Sequence, residues 1–460
     1  MPDSTLKAYQ QARISRDPRF DGRFFVAVKT TGIYCRPICP ANTPKEENIE
    51  YFDYAHLAAK AGYRPCLRCH PDSAPDSPLW NGADTTLKRT KYLIDNGALE
   101  QGSLVELATR LGISDRYCRK LFEKYLGVSP KSYALFRQCE FAKNLLHQTA
   151  LPITEIAFAA GFKSIRRFND CFQKQLSMSP SQIRQSKTKI GNSLQLKLSY
   201  RPPYNWSTLQ AFLAHRLIAE MEWSNEHSYG RMFTWQNEQG ECKGKFTAIH
   251  NATRHCFDIS IEIDNTLLLK AVINNIRRIL DLDADSQIID QHLSESGFED
   301  LTTGMRLPGT WSVFEAGVRA ILGQQISVNA AINLVTQVIH TLGKTSTGGH
   351  CYFPTPEQMA PSDFSFLKIP EKRKQTLKDF AQYYIDTPDA DNPDHWISIK
   401  GIGPWTIDYA KMRGLSDPDI YLGGDLGVKK VMAKFKTPLK PQHCAPFRSY
   451  LTFQLWNRLS

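Results

Sequence analysis

Four cysteines fall in two close pairs near the N-terminus, Cys35 and Cys39 in TTGIYCRPICP and Cys66 and Cys69 in YRPCLRC. No other feature limits the fold of this chain so strongly. Two pairs separated by a loop suit one tetrahedral ion, and an all-thiolate set selects Zn2+. Such a site lets a small domain fold around metal with little core of its own. Spacing alone favours a purely structural knuckle and does not say whether one thiolate is also a nucleophile. The first residues, MPDSTLKAYQQARISRDPRF, lack the apolar region of a secretory signal. No apolar run approaches the roughly 20 residues of a membrane span. The expectation is a cytoplasmic, reducing setting with no membrane partner, where clustered cysteines are ligands rather than disulfides. Cys118, Cys139, Cys171, Cys242, Cys256, Cys351 and Cys444 read as ordinary buried thiols.

A chain of 460 residues exceeds one domain. PDSAPDSPLWNGAD (71–84) and SKTKIGNS (186–193) read as linkers. The expected division is 1–78, 85–187, 194–285 and 286–460. The charge is lopsided. The net charge of the whole chain is +11, and residues 85–189 hold 18 Lys and Arg against 8 Asp and Glu, whereas residues 190–460 hold 28 of each. A basic middle segment suits phosphate binding.

That segment also repeats itself. In SLVELATRLGISDRYCRKLFEKYLGVSP, apolar residues surround Gly112, and the next helix exposes Arg116, Arg119 and Lys120. In LPITEIAFAAGFKSIRRFNDCFQKQLSMSP, Gly161 takes the turn and Lys163, Arg166 and Arg167 follow. Each copy reads as a helix-turn-helix unit with a basic recognition helix. Each ends in Ser-Pro, and a long helix over about 131–147 joins them. The duplication resembles the AraC-type DNA-binding domain. That resemblance implies an all-α fold, promoter DNA as partner and, for an activator, RNA polymerase as a further partner.

Further on, ISIKGIGPWTIDYAKMR places Gly401 and Gly403 between two helices, and Asp425 follows in YLGGDLGVKK. A glycine turn before a helix leaves backbone N–H groups open to a phosphate. Asp425 precedes a short helical pattern over 426–435 and is also a natural N-cap. Trp405 and Tyr409 share one helix face. With RLPGTWSVFEAGVRAILGQQISV, YRPPYNWSTLQAFLAHR and FRSYLTFQLWN, this region resembles the AlkA family of helix-hairpin-helix 3-methyladenine DNA glycosylases, over nearly all of 196–458. The resemblance implies an antiparallel sheet with helices followed by a helical hairpin domain. It implies base flipping into a pocket of Trp405, Tyr409 and Trp456, with Asp425 as catalytic carboxylate and DNA contacts at Gly401, Gly403 and Gln325. Strand-cleaving relatives carry a Schiff-base Lys where Trp405 stands, so a monofunctional hydrolase is implied. Gln325 departs from the Leu that wedges into the duplex in the family.

DGRFFVAVKTTGIYCRPICP and the downstream cysteine pair resemble the methylphosphotriester-repair domain of the Ada family. This implies one zinc held by Cys35, Cys39, Cys66 and Cys69, with Cys35 as a single-use methyl acceptor. The O6-alkylguanine motif Pro-Cys-His-Arg is absent from the sequence. The expected molecule is therefore a multidomain α+β protein. A small zinc-bound α/β domain leads, an all-α double helix-turn-helix domain follows, and an AlkA-like glycosylase comes last. It would repair alkylated double-stranded DNA and regulate promoters at the bacterial nucleoid. The rival is a transcription factor with structural zinc and an inactive glycosylase fold. A ligand-sensing AraC-type regulator would need a further domain, and no sequence lies outside the matched regions to build one.

Overall fold

In a computed structural model, the described residues are 3–16, 20, 24–39, 41, 43–66, 69, 71, 85–95, 97–184, 193–237, 240–387, 390–435 and 439–459. The expected linkers, apart from Pro71 and Ser193, and two expected domain ends, 78 and 185–187, lie outside them. The chain divides into two compact units. One comprises 1–201, 237–241 and 253–274; the other comprises 202–236, 242–252 and 275–460.

The first unit opens with helix α1 (Asp3–Ser15) and a four-stranded sheet of order β3-β1-β2-β4. Its strands are β1 (Phe25–Val28), β2 (Ile33–Cys35), β3 (Ile49–Phe52) and β4 (Arg64–Pro65), with α2 (Ala55–Lys60) between the last two. β1 pairs antiparallel with both β2 and β3, and β2 pairs parallel with β4. Phe25, Ala27, Tyr34 and Ala58 form one small core there, and Ala12, Phe24, Val26 and Ile49 another.

Eight helices follow: α3 (Thr85–Asp95), α4 (Ala98–Gln101), α5 (Leu104–Arg110), α6 (Asp115–Leu126), α7 (Pro130–Gln148), α8 (Ile153–Ala159), α9 (Ile165–Leu176) and α10 (Pro180–Ile183). The two Ser-Pro repeats have a local physical cause. Ser129 and Ser179 cap α7 and α10 by accepting the N–H of Ser132 and Gln182, and each following Pro occupies a first-turn position whose N–H needs no partner. Ser114 and Ser164 cap the two recognition helices, α6 and α9, in the same way. Gly112 and Gly161 take φ of +67° and +82° in the two turns. One face of α6 buries Cys118, Leu121, Phe122 and Leu126; α9 buries Phe168, Cys171, Phe172 and Leu176.

One expectation is corrected here. Cys139 on α7 and Cys171 on α9 are joined as a disulfide rather than standing as separate thiols. Sequence spacing could not bring them together; the packing of α9 on α7 does. The zinc segment also rests on the ends of the recognition helices. Lys60 Nζ donates to the Gly127 carbonyl that ends α6, a cation at the negative end of a helix, and Arg64 Nη1 lies 3.5 Å from Met178 Sδ just past α9. The unit continues into β5 (Leu194–Ser199).

In the second unit, α11 (Trp206–His215) precedes β6 (Glu222–Asn225), β7 (Ser228–Asn237) and β8 (Gly240–Asn251), with β7 between the other two. β9 (Cys256–Ile263), in the first unit, pairs antiparallel with β5 along its length. Helix α12 (Leu269–Ile279) then begins the helical part: α13 (Ser286–Glu295), α14 (Val313–Gly323), α15 (Val328–Leu342), α16 (Pro356–Met359), α17 (Glu371–Asp386), α18 (Pro404–Gly414), α19 (Leu426–Met432) and α20 (Arg448–Asn457).

α14 is apolar on every side and buries nine of its eleven residues, the signature of a central core helix. Its only acid, Glu315, is neutralised by Arg231 at 2.7 Å and Arg319 at 2.9 Å, and both guanidiniums also reach Glu222. Phe314 stacks on Phe380 at 5.5 Å. The helix expected over 426–435 ends at Met432. The architecture is a multidomain α+β protein of the expected composition.

Candidate metal centre, DNA-reading face and base pocket

The metal centre is built by strand register. The parallel pairing of Tyr34 with Pro65 sets the next residues, Cys35 and Cys66, side by side, and Cys66 N donates to Tyr34 O at 2.9 Å. A tight turn, with Cys39 N donating to Arg36 O at 3.1 Å, folds Cys39 back. The Arg36 amide donates to Cys69 Sγ at 3.4 Å. All four sulfurs lie within 4.8 Å of one another.

Hydrogen bonding among these thiols splits their acidities. Donation by Cys35 lowers Cys39 to about 7 and takes Cys66 well below the thiol range; hydrogen bonds to Cys39 and Cys66 hold Cys35 above it, and contacts with Cys35, Cys39 and Cys66 hold Cys69 above it. Four thiols this close share protons and become four thiolates together only around a cation. An all-sulfur donor set of this spacing fits zinc. Cys39, Cys66 and Cys69 are buried, whereas Cys35, at the end of β2, is partly exposed.

Arg116, Arg119 and Lys120 on α6 are exposed, as are Lys163, Arg166 and Arg167 at and before the start of α9. Arg119 spends part of its charge on Asp115, one turn earlier, at 3.0 Å.

The base pocket belongs to the second unit. Trp405 and Tyr409 stack at 5.4 Å, as their spacing on α18 predicts. Asp425 caps α19: its Oδ1 accepts Val428 N at 3.0 Å and also Trp456 Nε1 at 3.1 Å. The capping role read from the sequence is therefore real, and it coexists with an aromatic neighbour.

Three further residues join this group. Phe212 lies parallel to Trp456 at 6.3 Å, with Arg216 over its ring at 3.8 Å and Arg413 at 4.8 Å. Arg413 Nη1 also donates to Tyr409 Oη at 3.3 Å. Burial pushes the Arg216 guanidinium down to about 10, with Tyr409 and Asp425 pulling it back up and Arg413 and Arg319 opposing them. Sequence reasoning passed over all three. Phe212 on α11 and Arg216, which caps its C-terminal end, are four apart, the same signal that singled out Trp405 and Tyr409.

The two hairpin glycines differ. Gly401 has φ of +96°, and a Cβ there would lie 2.2 Å from Thr376 Oγ1. Gly403 is extended at φ −120°, with nothing within 4 Å of an added Cβ. Gly401→Ala is thus expected to cost about 2 kcal/mol or more of stability, seen as a lowered Tm. Gly403→Ala is expected to leave Tm nearly unchanged while weakening duplex binding, because its methyl occupies the open space beside the hairpin amide. Gln325 sits exposed between α14 and α15 with φ of +58°. Its neighbour Gln324 ties that loop to the hairpin by donating to Gly401 O and Thr406 Oγ1, each at 3.1 Å.

Residues 8–72 match the family model for the metal-binding domain of Ada, residues 107–186 a helix-turn-helix domain, and residues 195–312 the AlkA N-terminal domain. A probable bifunctional transcriptional activator/DNA repair enzyme AlkA of Mycobacterium tuberculosis is 31% identical over 493 residues, spanning 100% of this chain and 97% of that protein. The DNA-3-methyladenine glycosylase 2 of Escherichia coli is 31% identical over 56% of this chain and 95% of its own length. The bifunctional transcriptional activator/DNA repair enzyme AdaA of Bacillus subtilis is 34% identical over 38% of this chain and 81% of its own length. With the Ada metal-binding, helix-turn-helix and AlkA segments in one order along a relative matched end to end, the chain belongs to the family of bifunctional transcriptional activator/DNA repair enzymes.

Proposed function

We propose that this protein repairs alkylated DNA by two chemistries and reports the damage to promoters. The observation that carries the reading is the cluster of four cysteine sulfurs within 4.8 Å of one another, in which Cys35 is the residue that is not fully buried. Zinc, when bound, keeps the cluster deprotonated at neutral pH. Cys35 Sγ attacks the methyl carbon of a methyl phosphotriester in line. The S–C bond forms as the methyl C–O bond breaks, leaving a phosphodiester and a thioether. A thioether is not readily cleaved, so each molecule acts once.

The same transfer is a charge switch. Four thiolates around one dication carry a net charge of about −2, and methylation leaves about −1. Repulsion from DNA phosphates falls, and Arg116, Arg119, Lys120, Lys163, Arg166 and Arg167 hold the promoter where RNA polymerase can be recruited. Methylated protein is therefore expected to bind its promoter duplex at least tenfold more tightly than unmethylated protein at equal salt, measured by fluorescence anisotropy. Equal affinity would remove the switch.

In the glycosylase half, a flipped N-alkylated purine such as 3-methyladenine stacks between Trp405, Tyr409 and Trp456. Asp425 stabilises positive charge on the sugar and orients water as the base leaves. Trp405 offers no amine for a Schiff base, which supports hydrolysis without strand cleavage. Gly401 and Gly403 grip a phosphate, and Gln325 fills the gap left by the flipped base. Segments 1–78, 85–187, 194–285 and 286–460 serve as acceptor, reader, glycosylase sheet subdomain and hairpin domain. Among the described residues no helix is long and apolar enough to cross a membrane; action at the nucleoid follows from the DNA substrates.

A further inference from the structure

We propose that the promoter-reading module extends into the glycosylase sequence, with Lys270 and Asn274 on α12 acting as positioning residues for the helix-turn-helix pair. The residues concerned all lie within the first compact unit. Lys270 Nζ forms an ion pair with Glu100 on α4, and the two side chains are only 11% and 6% exposed. Asn274 Nδ2 donates to the Asp95 carbonyl at the end of α3 at 3.1 Å. The Asp95 carboxylate in turn accepts Arg137 Nε at 3.0 Å and Tyr133 Oη at 3.2 Å from α7, the helix that joins the two helix-turn-helix motifs. On the other side, Gln148 Oε1 at the end of α7 accepts the Lys197 amide of β5 at 2.5 Å.

Glu100 is the centre of this arrangement. Its carboxylate lies against the turn of the second helix-turn-helix: a Cβ on Gly161 would fall 2.4 Å from Glu100 Oε2 and 2.8 Å from Gln138 Nε2. Gln138 Nε2 donates to the Gly161 carbonyl at 3.2 Å. A residue preceding the first helix-turn-helix motif thus touches the turn that aims α9, and a lysine from beyond residue 194 holds that residue in place. Two recognition helices that enter successive major grooves must keep a fixed separation and pitch. A carboxylate buried at the turn holds that pitch only while its charge is matched; unpaired, it would draw water in or move away. These contacts have the form of a brace and involve none of the base pocket residues.

The inference rests on the reading of α6 and α9 as the promoter-binding helices, and full-length protein tests it. A duplex is first selected from a random-sequence pool by the wild-type protein. Lys270→Met is expected to lower affinity for that duplex about tenfold or more, because Glu100 loses its partner. Base release from a methylated duplex lacking the selected sequence should stay within about twofold of wild type. The exchange Glu100→Lys with Lys270→Glu should restore much of the lost affinity, and amide exchange over 153–162 should rise only in the single variant. Wild-type affinity in Lys270→Met overturns the inference. So does an equal fall in both activities without rescue by the exchange, which would make the pair a general stabilising contact. A wild-type protein that enriches no sequence overturns the promoter reading itself.

Discussion

Asp425→Asn should slow release of N-alkylated purines by about two to three orders of magnitude while leaving Tm almost unchanged. The two halves of this result come from different properties of one side chain. Oδ1 accepts Val428 N and Trp456 Nε1, and an Asn oxygen can accept both bonds. Asn is also as good an N-cap as Asp, so α19 keeps its start. What Asn lacks is the negative charge facing the sugar as the glycosidic bond breaks. The substitution therefore separates catalysis from capping. If release is unchanged, the carboxylate is only a cap. If the wild type releases no base either, the fold merely grips DNA, as the transcription-factor rival requires. Base release measured by chromatography, alongside thermal unfolding, decides among them.

The cysteine substitutions should also separate two roles. Cys69→Ala removes a buried ligand. Structural zinc contributes on the order of 10–16 kcal/mol of apparent folding free energy, so loss of the site should unfold the first segment and abolish methyl transfer together. A chelator should have the same effect. Cys35→Ala removes the proposed acceptor sulfur and leaves three cysteine ligands, a number that open zinc sites tolerate. That variant should retain a fraction of its metal while accepting no methyl at all. Zinc content and transfer from methylated duplex, measured on the same samples, distinguish the two.

Features set by neighbouring residues were legible in the sequence. The Ser-Pro pairs, the glycine turns and the Trp405–Tyr409 spacing all encode their structure within a helical turn or two, and the structure matches them. The cysteine quartet was legible as a metal site for the same reason. The choice of Cys35 as nucleophile comes from the family resemblance rather than from the spacing; its partial exposure follows from its place at the end of β2. Phe212 meets Trp456 from the opposite end of the glycosylase sequence and carries Arg216 over its ring. Lys270 meets Glu100 across 170 residues. The joining of Cys139 to Cys171 likewise depends on how one helix lies on another. Each is a long-range contact between residues unremarkable in their own surroundings.

The account turns on Cys35 as a sacrificial nucleophile in a chain that also excises bases. Peptide mass spectrometry after incubation with methylphosphotriester-containing duplex tests it most directly. One methyl, a gain of about 14 Da (one CH2) between the thiol peptide and its methyl thioether, should appear on the peptide carrying Cys35, in at most one copy per chain. A methyl on Cys39, Cys66 or Cys69 instead, or on none of the four, would contradict it.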